Sequence, residues 1–194
     1  MGAPQSIPRR LISVSEYHKM GAAGVFSTTD RVELIGGELI QMAPIDGSHL
    51  RLVNLLNRML VQQLGDDGVV SPQNPISLPP DSEPQPDFVV LRPECLNRAE
   101  VPGAQDVLLI VEVSVTTLDY DQDVKIPLYA ARAIPEVWLF DVATRSVSIH
   151  REPTRNGYRR LLTPRLKFLV PKPFLAGISR GRTIEIRRKS WSNM

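Results

Sequence analysis

The chain has 194 residues, 42% of them hydrophobic and 23% charged, with a formal net charge of +2. This composition predicts a globular domain with a substantial core and argues against intrinsic disorder. No apolar run reaches the ~20 residues that a membrane-spanning helix needs, and the first residues contain no apolar signal-peptide segment. Cys95 is the one cysteine, which excludes an internal disulfide and a cysteine zinc site. A single cysteine fits the reducing cytoplasm, so we expect a cytoplasmic protein. The lack of long apolar runs predicts no membrane contact.

The first third of the chain predicts a short helix and then a β-hairpin. In residues 13–20, Ser13 and Glu16 have the spacing of a capping box, which is typical of a helix start. The segment RVELIGGELIQM has two short β-prone runs joined at Gly36-Gly37, and this pattern predicts a tight hairpin turn.

A long amphipathic helix is predicted over residues 47–64, because leucines and a methionine recur there every three or four positions. Ser48 is the expected N-cap and Gly65 the expected end. The following segment, VVSPQNPISL, is interrupted by prolines, which favours an edge strand or a loop that enters a strand.

The second half of the chain predicts a buried strand, a second helix and three further strands. DVLLIVEVSV is almost continuously apolar, as in a central strand that is covered on both faces. Residues 121–132 predict a helix that ends near Ala133, and EVWLFDV, SVSIHRE and YRRLL predict antiparallel hairpins, with Trp138 in the core. This order of elements indicates a mixed α/β or α+β fold, in which a central sheet is flanked by helices.

Three parts of the chain are expected. Residues 1–29 form an N-terminal extension with a short helix, residues 30–170 form the core domain, and residues 171–194 form a basic tail in which TIEIRR is a candidate strand. Arginine and lysine are frequent in the last third of the chain. This pattern fits either a surface for a polyanionic partner or an ordinary solvated basic face.

Two acidic residues stand where a buried strand should be apolar. Asp87 precedes the run FVVL, and Glu112 interrupts LLIVEVSV. If the two strands are neighbours in a hairpin arrangement, the two carboxylates lie within a few ångströms and repel each other. A hard divalent cation relieves such repulsion, since Mg²⁺ is held by one or two carboxylates, and the carbonyl of Val113 offers a further oxygen.

Lys125 follows these strands at the start of the second predicted helix, where Asp121 or Asp123 is a candidate cap. A lysine at this position can point back toward the strand ends and stabilise charge on a phosphate or on an attacking hydroxide. Each residue also has an ordinary structural explanation. Asp87 could close a turn, Glu112 could pair with a cation, and Lys125 could be exposed; the combination of all three favours the functional interpretation.

The pattern resembles the PD-(D/E)XK nuclease superfamily, whose motif begins with Pro86-Asp87 as they stand here. The second half of the motif departs from the superfamily, because Ser114 occupies the position of the usual lysine. A lysine moved to the following helix is a known variation, and Lys125 is the matching residue. The resemblance implies a restriction-endonuclease-like fold with metal-dependent hydrolysis of phosphodiester bonds in DNA.

The sequence is more similar still to the Uma-type branch of these restriction-endonuclease-like proteins. Ordered segments between residues 30 and 145 carry this likeness, among them RVELIGGELIQMAP, SHLRLVNLLNRML, EPQPDFVVLRP and DYDQDVKIPLYAARAIPEVWLFD. One departure lies at Ala133, where the family has glycine. Alanine in a left-handed conformation costs about 1 kcal/mol, so we expect this helix to end differently.

The resemblance implies a site with named roles. Asp87 and Glu112 are metal ligands together with the Val113 carbonyl, Lys125 is the electrostatic partner, and Mg²⁺ is the expected ion, with Mn²⁺ as a substitute. Further candidates near the site are an N-terminal acid, Glu33 in preference to Glu38, together with His49, Gln85 and Tyr129. A homodimer is expected, since duplex cleavage favours two sites and small domains with an open sheet edge often pair.

Two functions from different classes remain. The first is an active endonuclease. The second is a catalytically inactive nuclease-fold module that binds nucleic acid or protein, and metal affinity that depends on Asp87 and Glu112 separates the two.

Overall fold

A six-stranded mixed sheet carries the helices of this protein, and a separate two-stranded sheet lies in its N-terminal part. The structure is a computed structural model that describes residues 8–44 and 46–164. The architecture confirms the predicted α+β class. Its strands are β1 (Val32–Ile35), β2 (Glu38–Gln41), β3 (Val69–Pro72), β4 (Phe88–Leu91), β5 (Val107–Ser114), β6 (Glu136–Asp141), β7 (Ser146–Thr154) and β8 (Gly157–Leu162).

The helices flank the large sheet, and the last two are joined by a π-helical turn at Asp121–Lys125. Short 3₁₀ turns at Gly65–Asp67, Pro93–Cys95 and Ala104–Asp106 complete the elements. Within the described residues, no helix is both long enough and apolar enough to cross a membrane. The α-helices are α1 (Val14–Ala22), α2 (Gly47–Leu64), α3 (Leu118–Tyr120) and α4 (Ile126–Ala131).

The large sheet has the strand order β3-β4-β5-β6-β7-β8. Neighbouring strands are antiparallel except β5 and β6, which are parallel and joined through the helical segment that contains α3 and α4. The predicted edge position of VVSPQNPISL is confirmed by β3, and the antiparallel pairing of the last three strands is confirmed as well. β5 lies inside the sheet and is buried along nearly its whole length, as its apolar run predicts.

Each face of the sheet is covered by a helix. The apolar stripe of α2, which includes Leu56 and Leu60, packs with Phe88, Val111 and Trp138 on one face. On the other face, α4 contributes to a second apolar cluster, whose members include Ile126, Tyr129, Val89, Ile110 and Leu139. Alternate residues of β5 therefore enter different cores, and this leaves Glu112 on the face of Ile110, toward α4.

The N-terminal elements form as predicted and dock beside β4. Ser13 and Glu16 make a complete capping box at the start of α1. The hairpin turns at Gly36 and Gly37, whose φ angles of 56° and 81° lie in the left-handed region that glycine tolerates. Leu34 of β1 exchanges backbone hydrogen bonds with Glu83, so the hairpin is attached to the segment that leads into β4.

Three local predictions are wrong. Asp46, not Ser48, is the N-cap of α2, because its carboxylate accepts the backbone N–H groups of Ser48 and His49 at 2.8 Å. The second helical segment begins at Leu118, so Asp121 is inside it and is not its cap. Ala133 adopts φ 57° after α4, the conformation in which the family has glycine, at a cost of about 1 kcal/mol.

Several predictions concern residues outside the described ranges. The tail at 171–194, its candidate strand TIEIRR and the basic residues beyond residue 164 belong to this group. The proposed boundaries at residues 29 and 170 stay predictions.

Candidate active site

The register of β4 and β5 places the two strand acids side by side. Phe88 pairs with Val111, so Asp87, which stands just before β4, lies next to Glu112 and Val113. The backbone N–H of Val113 donates to Asp87 Oδ2 at 2.8 Å. The N–H of Asp87 lies 3.4 Å from Glu112 Oε2. The predicted hairpin relation of these strands is therefore confirmed.

Asp87 stands directly before the first residue of β4, and the irregular segment that precedes it fixes this position. Its carbonyl accepts the N–H of Gln73 at 3.0 Å, while Pro86 has no N–H to offer the ladder. The side chain of Asp87 keeps 14% of its surface exposed, whereas that of Glu112 keeps 4%. Asp87 thus faces a cavity from the end of the strand, and Glu112 forms the deeper acid.

Lys125 reaches the same place from the π-helical turn. Its ammonium Nζ is 3.1 Å from Glu33 Oε2 and 3.4 Å from Glu112 Oε1, and its side chain is 7% exposed. Burial alone would lower the pKa of this lysine, but the carboxylates of Glu112, Glu33 and Asp121 hold its pKa above the usual value. The lysine is therefore charged at neutral pH.

Glu112 is the most strongly perturbed acid of the site. Tyr129 donates its hydroxyl hydrogen to Glu112 Oε1 at 2.6 Å. Burial raises the pKa of Glu112 to about 8, with Asp121 and Asp87 adding to the rise and Lys125 opposing it. Carboxylates outnumber the lysine here, and a proton on Glu112 relieves part of the repulsion in the metal-free site.

The N-terminal hairpin supplies a further acid, Glu33, which is 3% exposed. Glu33 Oε2 accepts the backbone N–H of Gln85 at 3.1 Å in addition to the contact with Lys125. The side-chain amide of Gln85 donates to the carbonyl of Gln73 at 2.6 Å, so this amide braces the loop. Glu38, the other acid considered on this hairpin, is exposed and pairs with Arg9.

His49 lies in the first turn of α2 and contacts the outer acid. Its Nε2 is 2.9 Å from Asp87 Oδ1. The hydrogen bond with Asp87 raises the pKa of His49 above its usual value, although burial opposes this. The expected closeness of His49 to the site is thus found, and its ring orients the Asp87 carboxylate.

Asp121 is a site residue that the sequence indicated only as a candidate cap. It is buried, and its Oδ2 accepts hydrogen bonds from the hydroxyls of Ser114 and Thr117. Ser114, which replaces the usual lysine of the motif, therefore holds an acid that acts electrostatically on Lys125. The available signal was the spacing of Asp121 and Lys125, four residues apart and hence on one side of a helix.

One cavity of about 490 Å³ is lined by most of these residues, namely Glu33, His49, Gln85, Asp87, Glu112, Asp121 and Lys125. Its buried end holds the oxygen atoms of Glu33, Asp87, Glu112 and Asp121 together with the ammonium of Lys125. No group of three His, Cys, Asp or Glu side chains within residues 8–44 and 46–164 is arranged as a ready metal cluster. The donor set, however, consists of oxygen atoms with surplus negative charge, which is the set that a hard divalent cation takes.

The strand order and the helices on both faces of the sheet define an α+β protein with an acid-rich cavity. A solved structure with this fold is that of a putative nuclease belonging to DUF820 from Anabaena variabilis, with a TM-score of 0.63. It is 15% identical in sequence, and the match covers 78% of this chain and 83% of that chain. At this identity, the likeness establishes the fold alone.

The family follows from the sequence itself. A family model described as "Uma2: Putative restriction endonuclease" matches residues 14–186, so the chain belongs to the Uma2 family. This membership confirms the resemblance to the Uma-type branch and supports a nuclease function. A search of curated proteins found no match.

Proposed function

We propose that this protein is a metal-dependent endonuclease that hydrolyses phosphodiester bonds in DNA. The observation that carries the proposal is the meeting of Asp87, Glu112 and Lys125 in one cavity, although they come from two strands and a helical turn. Buried carboxylates in excess of cations are costly for folding, and a site for a cation explains their retention. Family membership supports nucleic acid as the substrate class.

The ligands proposed for the metal are Asp87, Glu112 and the backbone carbonyl of Val113. The N–H of Val113 points at Asp87, and the N–H and C=O of one strand residue face the same side, so the carbonyl also faces this edge. Such oxygen ligands suit Mg²⁺, with Mn²⁺ as a substitute. A bound divalent cation would polarise the scissile phosphate and lower the pKa of a water molecule beside it.

The surrounding residues orient and charge this site. Lys125 presents a fixed positive charge that stabilises the charge developing on the phosphate. Glu33 holds the lysine from one side, Tyr129 fixes Glu112, and His49 fixes Asp87. These contacts keep the acids and the ammonium in place before the substrate enters, so little reorganisation is needed during the reaction.

The experiment is a nicking assay on supercoiled plasmid DNA with Mg²⁺ or Mn²⁺, with EDTA as the blank. We expect cleavage by the wild-type chain that EDTA stops and that Glu112→Gln reduces by about 10³-fold. Absence of metal-dependent nicking on every DNA form tested would contradict the proposal.

We also propose a homodimer, because cleavage of both DNA strands favours two paired sites. Sedimentation of the active protein as a monomer would contradict this.

A second candidate is an inactive nuclease-fold module that binds nucleic acid or protein. One observation favours it: Lys125 already pairs with two of the carboxylates, which partly neutralises the cavity without a metal. Calorimetric titration with Mn²⁺ separates the candidates. Binding that is lost in Asp87→Asn supports the enzyme, while absence of binding in the wild type supports the module.

A further inference from the structure

Tyr120 carries a buried hydroxyl group that makes no hydrogen bond to any part of the chain that the structure describes. The chain has four tyrosines. The hydroxyls of Tyr17 and Tyr158 donate to backbone carbonyls, and that of Tyr129 donates to Glu112. Tyr120 differs from all three, and its side chain lines the cavity that contains Asp87, Glu112 and Lys125.

A phenol hydroxyl that is closed to water and lacks a partner is unfavourable, and the great majority of buried polar atoms avoid this state. Phenylalanine would pack at the same position without this cost. The acids nearby already have donors of their own, since Asp121 accepts from Ser114 and Thr117 while Glu33 accepts from Gln85. Within residues 8–44 and 46–164, the hydroxyl of Tyr120 is therefore a donor without a protein acceptor.

The chemistry of this hydroxyl defines its partner. Burial, with help from the carboxylate of Glu33, raises the pKa of Tyr120 to about 12, so the phenol is protonated at neutral pH and is available as a donor. The matching ligand must bring an acceptor into a cavity that already holds an ammonium. The non-bridging oxygens of a phosphodiester are acceptors that carry negative charge, and they satisfy both groups.

We propose that the Tyr120 hydroxyl donates a hydrogen bond to a non-bridging oxygen of the DNA phosphate that enters the cavity beside Lys125. This inference rests on the proposed nuclease function and adds a substrate-binding residue to it. Tyr120 is partly exposed and lines the same cavity as Lys125, and the charges of Glu33 and Lys125 both act on its hydroxyl. Tyr120 then adds a neutral donor to a cavity in which Lys125 supplies the positive charge.

The test is the Tyr120→Phe variant, which removes one oxygen atom and keeps the ring. A hydrogen bond to a charged oxygen predicts a loss of about 10-fold to 100-fold in kcat/KM for DNA cleavage. Because the hydroxyl has no partner among the residues that the structure describes, the denaturant midpoint of the variant should be equal to or higher than that of the wild type. Unchanged kcat/KM, within twofold, would overturn the proposal.

Tyr158→Phe is the matched control. Its hydroxyl donates to the Ile134 carbonyl at 2.8 Å, away from the cavity. This variant should show the reverse pattern, with a lower denaturant midpoint and an unchanged kcat/KM. If both tyrosine variants lose cleavage equally, the effect is general and the assignment of Tyr120 is wrong.

A binding measurement separates this inference from the proposed function. Fluorescence anisotropy with a short labelled DNA duplex in Ca²⁺ reports affinity whether or not the protein cleaves. If the wild type binds but does not cleave, the nuclease proposal fails, while at least 10-fold weaker binding by Tyr120→Phe still supports the contact. Equal binding by the two proteins, or no binding by the wild type, overturns the contact.

Discussion

Two buried clusters of charge lie on the same sheet, and they differ in balance. At the start of β6, Glu136 forms a two-point ion pair with Arg151 of β7, with N–O distances of 2.9 and 3.0 Å. The indole N–H of Trp138 adds a further donor to Glu136. One carboxylate meets one guanidinium in good geometry, which is the arrangement that makes a buried pair tolerable.

The charged residues in the cavity, at the C-terminal end of β5, lack this balance. Four carboxylates, those of Glu33, Asp87, Glu112 and Asp121, line the same cavity as the ammonium of Lys125, which pairs with Glu33 and Glu112. The pKa of Glu112 rises to about 8 as a result of burial and these neighbours. Burial of charge alone therefore does not mark a functional site. A surplus of one sign that faces a cavity is the distinguishing feature, since it calls for a ligand of the opposite sign.

The largest expected contrast is between Asp87→Asn and Glu136→Gln. Asp87→Asn should reduce DNA cleavage by about 10³-fold or more and leave the denaturant midpoint near that of the wild type, since it removes surplus charge. Glu136→Gln leaves Arg151 buried without its charge partner and should cost about 3–5 kcal/mol of stability. Its folded fraction should cleave normally. If Glu136→Gln also lowers cleavage at a temperature where the variant is folded, the Glu136–Arg151 pair is not purely structural and the contrast between the two clusters fails.

The two buried cations provide the next contrast. Lys125→Met should reduce cleavage by about 10²-fold to 10³-fold, because the charge that stabilises the phosphate is gone. Arg151→Met should lower the free energy of unfolding by about 3–5 kcal/mol without a specific effect on cleavage. The stability loss in Lys125→Met should be smaller, since the cavity acids can take up a proton. Equal stability losses, measured by urea unfolding, would contradict this account.

The pH dependence of stability tests the surplus charge directly in metal-free buffer. The pKa of Glu112 is raised from 4.5 to about 8, so between these values the folded chain binds a proton that the unfolded chain lacks. Stability contributed by this group is therefore present below pH 4.5 and is lost as the pH rises through 8. The wild type should lose stability relative to Glu112→Gln across this window. Parallel curves for the two proteins would refute the raised pKa.

The smallest effects are expected on the N-terminal hairpin. Glu33→Gln removes a charged neighbour of Lys125 and should reduce cleavage by about 10-fold, a typical effect for residues that orient a site. Glu38→Gln is the matched control, because Glu38 is exposed and pairs with the exposed Arg9 on the surface. It should leave cleavage unchanged. Similar rates for the two variants would exclude Glu33 from the site.

Strand patterns allowed much of this arrangement to be predicted from sequence. The acid within LLIVEVSV and the acid before FVVL were recognisable because each conflicts with an apolar strand, and their meeting follows from the pairing of β4 and β5. The helix over Gly47–Leu64 was predictable because its apolar period is regular over 18 residues. These features could be predicted because they depend on local periodicity and composition.

Other features depend on tertiary contacts and could not be predicted from the sequence. From the sequence, Asp121 is interpreted as a helix cap because Asp is common at helix starts. Its hydrogen-bond donor Ser114 lies on β5, and only the folded structure brings the two residues together. The shift of the N-cap from Ser48 to Asp46 reflects two candidates of similar preference that lie two residues apart. The Tyr120 hydroxyl has no sequence signal, since it stands out only because the described part of the folded chain places no acceptor beside it.

We propose above all that the surplus carboxylates form a metal site for DNA hydrolysis. The most direct measurement is a crystal structure of the wild-type protein soaked in Mn²⁺, with anomalous scattering to locate the ion. We predict an anomalous peak in the cavity within bonding distance of Asp87, Glu112 and the Val113 carbonyl. A cavity without a peak, in a crystal soaked at millimolar Mn²⁺ and with Lys125 still paired to Glu33 and Glu112, would contradict the claim.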